Sequence, residues 1–271
     1  LQPGEKRDLT YPMINWVSML AADSVLFNSQ FHLEDWFTAL PQLLKRFPDC
    51  SQLPLIPEVR AKSMVVPVGC DLRGLDASRS RGMALPSHRR RLILWNQRWE
   101  YDKDPATFCE ALDVLAAMGI SFDLALAGAN VQQQAEAFES IRSRFGDRVV
   151  HYGRADRVTY RELLWRSDVV VSTARQEFFG VAVTEAMYCR SFPVLPRRLA
   201  YPGLLPVRFH ERCLYRDFDE LVSRLAWALT HPEEALTVSE QLRSHVTQFD
   251  WTKVAPRLDA ALEDAVVGVR S

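Results

Sequence analysis

Two cations, Arg98 and Lys103, lie five residues apart in a polar segment that follows a short apolar run. Asp104 and Pro105 then open a helical pattern, with Asp104 at the capping position and Pro105 at the first helical position. A guanidinium, an ammonium and the free amides of a helix N-terminus can together bind a diphosphate. The alternative is a loop in which both cations only pair with the acids beside them, Glu100, Asp102 and Asp104.

A second polar segment begins at Thr173 and contains two glutamates eight residues apart, Glu177 and Glu185. The helical period puts Glu185 about two turns into a helix, on a side similar to that of Glu177. One carboxylate can accept hydrogen bonds from sugar hydroxyls and the other from ribose hydroxyls. The alternative is that Glu177 caps the helix and Glu185 is a surface residue. Between them an aromatic residue and a glycine offer backbone amides to a phosphate, from Phe179, Gly180 and Val181.

Alternating strands and helices must position these segments. Five apolar runs predict the strands 92–95, 122–126, 149–151, 169–171 and 192–195. Helical patterns separate or follow them at 105–118, 131–145, 159–166, 181–188, 218–228 and 232–246. This alternation is typical of a parallel sheet with helices on both faces. Residues 92–250 are therefore predicted to form a doubly wound, Rossmann-like domain, which binds ligands beyond the carboxyl ends of its strands.

The amino-terminal part holds fewer elements. Helices are predicted at 11–23 and 31–47, and strands at 24–27 and 64–69. Because two strands are few for an independent sheet, we expect residues 1–80 to be a partial domain, incomplete at its amino end. A stretch rich in Gly, Ser, Pro and Arg predicts a basic linker at 81–91. An amphipathic helix at 251–267 is expected to cross back to the first domain.

Composition narrows the function classes. The formal charge of -1 gives no global attraction to nucleic acid or anionic lipid. The five cysteines are scattered, which argues against a disulfide framework or a zinc site and favours buried thiols. No apolar run is long enough to span a bilayer, and we expect a cytosolic protein. The Arg-rich stretch 73–91 is either a solvated linker or a contact for RNA phosphates.

The two polar segments together resemble a known family. Arg98 and Lys103, with the segment EFFGVAVTE at 177–185, are similar to the retaining GT-B transferases of glycosyltransferase family 4. More narrowly, RWE at 98–100, DKDP at 102–105 and STA at 172–174 resemble the tRNA-queuosine alpha-mannosyltransferases. Short segments at 22–23, 27–29 and 47–49 resemble the first domain of that family. The resemblance implies an α/β fold of GT-B type, with two Rossmann-like domains facing a cleft.

That resemblance also implies roles. The donor is expected to be GDP-mannose and the acceptor the cyclopentene hydroxyl of queuosine in a tRNA, with no metal and no further cofactor. Arg98 and Lys103 are expected to neutralise the leaving diphosphate, Glu177 to orient the hexose and Glu185 to hold the ribose. The donor-binding set is completed by residues after two of the predicted strands, Gly153 after 149–151 and Thr173, Phe179, Gly180 and Val181 after 169–171.

The sequence leaves four questions open. Asn28 and Ser29, at a strand end of the first domain, either face the acceptor or cap the following turn. The acceptor can also be a glycan, a lipid or a small molecule, and the chain can be a nucleotide-sugar binding module without catalytic activity. The sequence does not fix the oligomeric state.

Overall fold

The structure is a computed structural model that describes residues 8–79, 89–128 and 135–269. It contains two compact units. The first comprises the residues up to Gly69 together with those from Thr252 onward, and the second runs from Cys70 to Trp251.

The first unit packs helices against a short parallel sheet. Its elements are α1 (Thr10–Ala21), β1 (Val25–Phe27), α2 (Gln30–Leu44), α3 (Ile56–Ala61) and β2 (Ser63–Val65). Strand β1 pairs with β2 in parallel, with Val25 opposite Ser63. Trp16, Phe27 and Leu44 lie at the centre of the core. The predicted strand 64–69 is shorter than expected, and the six-residue helix α3 was not predicted. The long carboxyl-terminal helix α12 spans Trp251–Val269.

The second unit is built on six parallel strands. They are β3 (Arg91–Trp95), β4 (Phe122–Leu126), β5 (Val149–Tyr152), β6 (Val169–Val171), β7 (Phe192–Pro196) and β8 (Leu214–Tyr215). Their order in the sheet is β5-β4-β3-β6-β7-β8, the doubly wound order of dinucleotide-binding domains. The predicted count of five strands is wrong by one, because β8 has only two residues and produces no apolar pattern.

Helices cover this sheet. They are α4 (Pro105–Ala117), α5 (Ala135–Phe145), α6 (Arg157–Arg166), α7 (Val181–Tyr188), α8 (Tyr201–Leu204), α9 (His210–Cys213), α10 (Phe218–Thr230) and α11 (Pro232–Val246). The predicted bounds of α7 and α11 are reproduced, whereas the four-residue helices α8 and α9 were not predicted. The beginning of the predicted helix 131–145 lies outside the described residues.

Residues 70–79 pack within the second unit, although we predicted the first domain to extend to residue 80. Leu72 and Leu75 are buried. The indole Nε1 of Trp165 donates to Leu75 O at 2.8 Å, and Tyr188 Oη donates to Asp76 Oδ2 at 2.8 Å. These contacts draw the segment into the second unit. The boundary therefore falls between Gly69 and Cys70.

The predicted basic linker 81–91 lies largely outside the described residues. Its last three residues are described, and they pair with acids of the second unit. Arg89 donates to Asp168, and Arg90 Nε lies 2.6 Å from Asp123 Oδ1. Arg91 is the first residue of β3 and lies 3.3 Å from Asp168 Oδ1. The described end of this stretch is therefore bound to the second unit by ion pairs and continues into strand β3.

The described cysteine side chains are buried thiols that form no disulfide with one another, at Cys70, Cys109, Cys189 and Cys213. Burial raises the pKa of the Cys109 thiol to about 11, which keeps it protonated at neutral pH. The prediction of buried thiols is confirmed for these four, and the side chain of Cys50 lies outside the described set. In the described parts of the chain, none of the helices combines the length and the apolar character needed to cross a membrane.

Candidate active site

The strand order of the second unit reverses between β3 and β6. From β3 the chain continues to β4 and β5 on one side of the sheet, and from β6 to β7 and β8 on the other. Strands β3 and β6 are neighbours, with Ile93 opposite Val169 and Leu94 opposite Val170. The loops that follow them, 96–104 and 172–180, therefore leave the sheet side by side. Such a switch point is where doubly wound sheets bind their ligands.

Hydrogen bonds join these two loops. The amide of Arg175 donates to Asp102 O at 2.7 Å. The hydroxyl of Thr173 lies 2.8 Å from both Lys103 O and Asp104 O. Thr173, predicted to bind the donor, is buried and links the loops in this structure. Asp104 occupies the predicted N-cap position of α4, but its side chain makes no capping bond to the helix amides. Its backbone is left-handed, and its carboxylate accepts from Arg175 Nε and from the Thr107 hydroxyl.

The Lys103 side chain connects the first loop, 96–104, to the second, 172–180. It ends the short 3₁₀ turn Tyr101–Lys103 and is only 8% exposed. Its Nζ lies 2.8 Å from Gln176 O, 3.1 Å from Asp102 Oδ2 and 3.5 Å from Glu177 Oε2. Each of the three N–H donors of the ammonium thus has an acceptor. A diphosphate that binds Lys103 must replace one of these acceptors.

Glu177 uses its two oxygens differently. Oε1 accepts from the amides of Phe178 at 3.1 Å and Phe179 at 3.3 Å, while Oε2 faces Lys103. The side chain therefore holds the loop that precedes α7 and places its second oxygen beside the cation. The alternative prediction of helix capping is met in part, because the amides bonded to Glu177 belong to the residues just before the helix.

Gly180 allows the chain to turn into α7. Its φ is +100°, a left-handed conformation that favours glycine. A Cβ at this position would lie 3.1 Å from Leu204 Cδ1. Val181 is the first residue of α7, and the amides of the first turn have no acceptor within the helix. Because the N-cap is glycine, no side chain of the capping residue covers them.

Glu185 lies in the second turn of α7 in a different environment. The Tyr160 hydroxyl on α6 donates to its Oε2 at 2.7 Å. Asn96, directly after β3, donates from Nδ2 to Tyr160 Oη at 3.2 Å and to Ala182 O at 2.8 Å. Burial raises the pKa of Glu185, and the Tyr160 hydrogen bond opposes that rise. Burial also raises the pKa of Tyr160, so its hydroxyl stays protonated and donates.

Two predicted donor residues stand apart from this group. The Arg98 side chain is 64% exposed, and its Nη1 lies 3.2 Å from Glu100 Oε1. The alternative prediction of pairing with neighbouring acids therefore holds for Arg98 with Glu100 and for Lys103 with Asp102. Gly153 follows β5 with a φ of +102° and lies two strands away from β3. Among the described contacts, neither residue bonds to Lys103 or Glu177.

The predicted acceptor-side residues belong to the first unit. Ser29 is the N-cap of α2, and its Oγ accepts from the amide of His32 at 3.1 Å. Asn28 Oδ1 lies 2.9 Å from Nδ1 of the same histidine. Ser29 thus makes the capping contact named as the alternative, whereas Asn28 contacts the imidazole of His32. Their acceptor-side role stays a prediction.

Sequence reasoning missed three residues of the site, namely Asn96, Gly128 and Tyr160. Asn96 carries a positional signal, because it is the first polar residue after β3. Gly128 permits close packing, since a Cβ there would lie 1.9 Å from Gln97 O. Tyr160 carries no local signal. No cluster of three or more His, Cys, Asp or Glu side chains suited to a metal occurs within the described residues. Binding without a metal stays a prediction.

The chain matches a family model over most of its second unit. Residues 79–244, more than half of the chain, match the model described as glycosyl transferases group 1. The chain belongs to the group 1 glycosyltransferases. Residues 1–70 match a second model of narrower scope, the amino-terminal region of tRNA-queuosine alpha-mannosyltransferase.

A curated relative supports the narrower assignment within this glycosyltransferase family. The tRNA-queuosine alpha-mannosyltransferase of Drosophila melanogaster is 31% identical over 225 residues. The match covers 82% of this chain and 59% of the fly protein. The resemblance predicted from the sequence is confirmed, and the chain spans about three fifths of the length of this relative.

Solved structures of other glycosyltransferases show the same fold. Sucrose-phosphate synthase from Thermosynechococcus elongatus has a TM-score of 0.72 at 22% identity, covering 97% of this chain and 63% of that one. Anabaena HepE in complex with UDP and glucose has a TM-score of 0.70 at 17% identity, covering 95% and 68%. The predicted α/β fold of GT-B type is confirmed.

Proposed function

We propose that this glycosyltransferase transfers mannose from GDP-mannose to the cyclopentene hydroxyl of queuosine in a tRNA, with retention of configuration. Family membership supports the class of reaction, and the fly relative, a tRNA-queuosine alpha-mannosyltransferase, supports mannose as the sugar and queuosine in a tRNA as the acceptor. The observation that carries the proposal is the contact of Lys103 with Glu177 at the switch point of the sheet, beside the start of α7.

The chemistry requires a site for a leaving diphosphate. The C1–O bond of the sugar breaks, GDP departs with the electron pair, and the acceptor oxygen forms the new bond and loses its proton. Negative charge grows on the diphosphate as this bond breaks. Preorganised donors stabilise such charge most effectively where water is excluded. Lys103 and the first-turn amides of α7 meet this requirement, and Arg98 supplies a second cation from the rim.

The proposed donor contacts follow from this placement. The diphosphate lies against Lys103 and the amides of Gly180 and Val181, and it replaces Glu177 Oε1 as the acceptor of the Phe179 amide. Glu177 accepts from the hydroxyls of the hexose and Glu185 from those of the ribose.

Four further residues complete the proposed donor site and the acceptor side. Thr173 holds the loop that carries Glu177, and Gly153 lines the pocket of the base. Asn28 and Ser29 of the first unit contribute to the acceptor side. No metal is required in this scheme, because Lys103, Arg98 and the first-turn amides of α7 supply the donors that bind the diphosphate.

Mass spectrometry of nucleosides from queuosine-containing tRNA tests the proposal. The full-length protein and GDP-mannose should yield queuosine heavier by one hexose, and Glu177→Gln should reduce this yield strongly. A matched control is Glu263→Gln, an exposed glutamate of α12, which should leave the yield unchanged.

Other outcomes of that assay separate the alternatives. Transfer from UDP-glucose but not from GDP-mannose would refute the donor. GDP-mannose turnover with a glycan or lipid, and none with tRNA, would refute the acceptor. GDP binding without turnover on any acceptor would leave a nucleotide-sugar binding module.

A further inference from the structure

A chain of three polar side chains crosses the switch point. Asn96 follows β3, Tyr160 lies on α6 and Glu185 lies on α7. The Asn96 amide donates to the Tyr160 oxygen, and the Tyr160 hydroxyl donates to Glu185 Oε2 at 2.7 Å. Since the tyrosine oxygen already accepts from Asn96, its own proton is directed to the carboxylate. The chain therefore has one direction, from the end of β3 to Glu185.

Glu185 is held in this way without a cation. Among the described residues, no Lys, Arg or His lies within ion-pair distance of its carboxylate, and Tyr160 is the hydrogen-bond donor to it. A partly desolvated carboxylate is costly unless hydrogen bonds satisfy it. The tyrosine hydroxyl satisfies Oε2 and leaves Oε1 to accept from a neutral donor.

The amide of Asn96 gives a second observation at the same place. Asn96 is 6% exposed, and its Nδ2 has two acceptors, Tyr160 Oη and Ala182 O. Its buried Oδ1 has no hydrogen-bond partner among the described atoms. Buried acceptors of this kind are rare unless a water or a ligand donates to them. Both ends of the chain thus hold an oxygen acceptor that has no donor among the described residues.

We propose that Tyr160 is a positioning residue for the donor nucleotide, which fixes the Glu185 carboxylate so that Oε1 accepts from the ribose hydroxyls. The proposal rests on the ribose role of Glu185 in the proposed function. The competing explanation is purely structural: the tyrosine satisfies a buried carboxylate and has no part in recognition.

Binding of GDP and of 2′,3′-dideoxy-GDP to the full chain separates the two explanations. Tyr160→Phe removes the hydroxyl and keeps the ring. A carboxylate that Tyr160 no longer holds loses its bond from the ribose hydroxyls. One hydrogen bond to a charged group corresponds to roughly tenfold in affinity, so calorimetry should show GDP binding weakened by about that factor. Binding of the dideoxy nucleotide should be unchanged, since it has no ribose hydroxyls for Glu185 to hold. A structural role would weaken both nucleotides alike or neither, and either result overturns the proposal.

Helix α7, which carries Glu185, also provides a matched control. Tyr188 Oη donates to Asp76 Oδ2 at 2.8 Å, a tyrosine–carboxylate bond away from the loops of the site. Tyr188→Phe should leave the affinities for both nucleotides at the wild-type values. A selective loss of GDP binding in this control as well would overturn the assignment to Tyr160.

Glu185→Ala makes failure of the inference distinguishable from failure of the proposed function. Unchanged GDP affinity in this variant would remove the ribose role and the inference with it. If GDP binds more weakly to Glu185→Ala but with wild-type affinity to Tyr160→Phe, only the inference about Tyr160 is overturned. If Tyr160→Phe shows no unfolding transition and is therefore not folded, Asn96→Ser allows the same comparison of GDP with 2′,3′-dideoxy-GDP. Selective loss of GDP binding there supports the proposal, and equal behaviour of both nucleotides overturns it.

Discussion

Replacing Lys103 by methionine should weaken GDP binding by about tenfold. Methionine keeps most of the side-chain volume of this buried residue, so the change removes mainly the charge and its three donors. A hydrogen bond to a charged group contributes roughly 1.5–3 kcal/mol. The diphosphate must displace Asp102 or Glu177 from the ammonium, which lie at 3.1 and 3.5 Å. We therefore expect the lower end, about 1.5 kcal/mol, which corresponds to about tenfold in Kd.

Arg98 provides a graded comparison for the same reasoning. Its side chain is 64% exposed and already faces Glu100. Exposed ion pairs contribute about 0.2–1 kcal/mol and are screened by salt. Arg98→Met should therefore weaken GDP binding less than Lys103→Met does. Its effect should shrink at high ionic strength, while the effect of the buried lysine persists.

Calorimetry with GDP and with guanosine is the assay. Lys103→Met should lose affinity for GDP and keep its affinity for guanosine, which has no phosphate. Lys45→Met, at an exposed lysine of the first unit, is the control and should bind both ligands as wild type does. Equal GDP affinity in Lys103→Met and wild type, or an equal loss for guanosine, would refute the phosphate role.

Three further predictions concern stability, measured by thermal or urea unfolding. Gly180→Ala should cost about 1–2 kcal/mol because of its left-handed backbone, whereas Gly146→Ala, without a positive φ, should be close to neutral. Glu185→Gln should stabilise the protein at neutral pH, because burial raises the pKa of the carboxyl; the gain should vanish below the ordinary carboxyl pKa, where both forms are neutral, and a gain independent of pH would contradict the reasoning. Thr173→Val should cost about 1–3 kcal/mol by leaving two carbonyls without their donor, and the exposed Thr230→Val should cost less.

The sheet of the second unit was largely predictable because its strands are buried on both faces. Such strands appear in the sequence as continuous apolar runs, and β3, β4 and β6 lie within one residue of the prediction. Helices α7 and α11 begin where Gly180 and Pro232 indicate a start. The elements that were missed, β8, α3, α8 and α9, have two to six residues, which is too short for a periodic pattern.

Residues of the candidate site could be predicted from the sequence only where their position directly after a strand determines their place in the fold. Lys103 and Glu177 follow strands that proved to be neighbours, and the structure brings them together. The partner of Glu185 is Tyr160, 25 residues away on another helix, and no local pattern connects the two. The missing capping bond of Asp104 could not be predicted, because Arg175, which binds its carboxylate, comes from the other loop.

The charged side chains around the site limit how a diphosphate can bind. The two cations assigned to it, Arg98 and Lys103, each face carboxylates of their own neighbourhood, namely Glu100, Asp102 and Glu177. These side chains together carry no surplus of positive charge, so simple attraction does not account for binding of an anion. The uncompensated donors are the backbone amides of the first turn of α7, which act through direction and short range. Binding then depends on the shape of the bend at Gly180. Lys103 contributes to binding once the diphosphate replaces one of the carboxylates that the ammonium contacts. A site of this kind discriminates by geometry and is little affected by the ionic strength that weakens an exposed cationic patch.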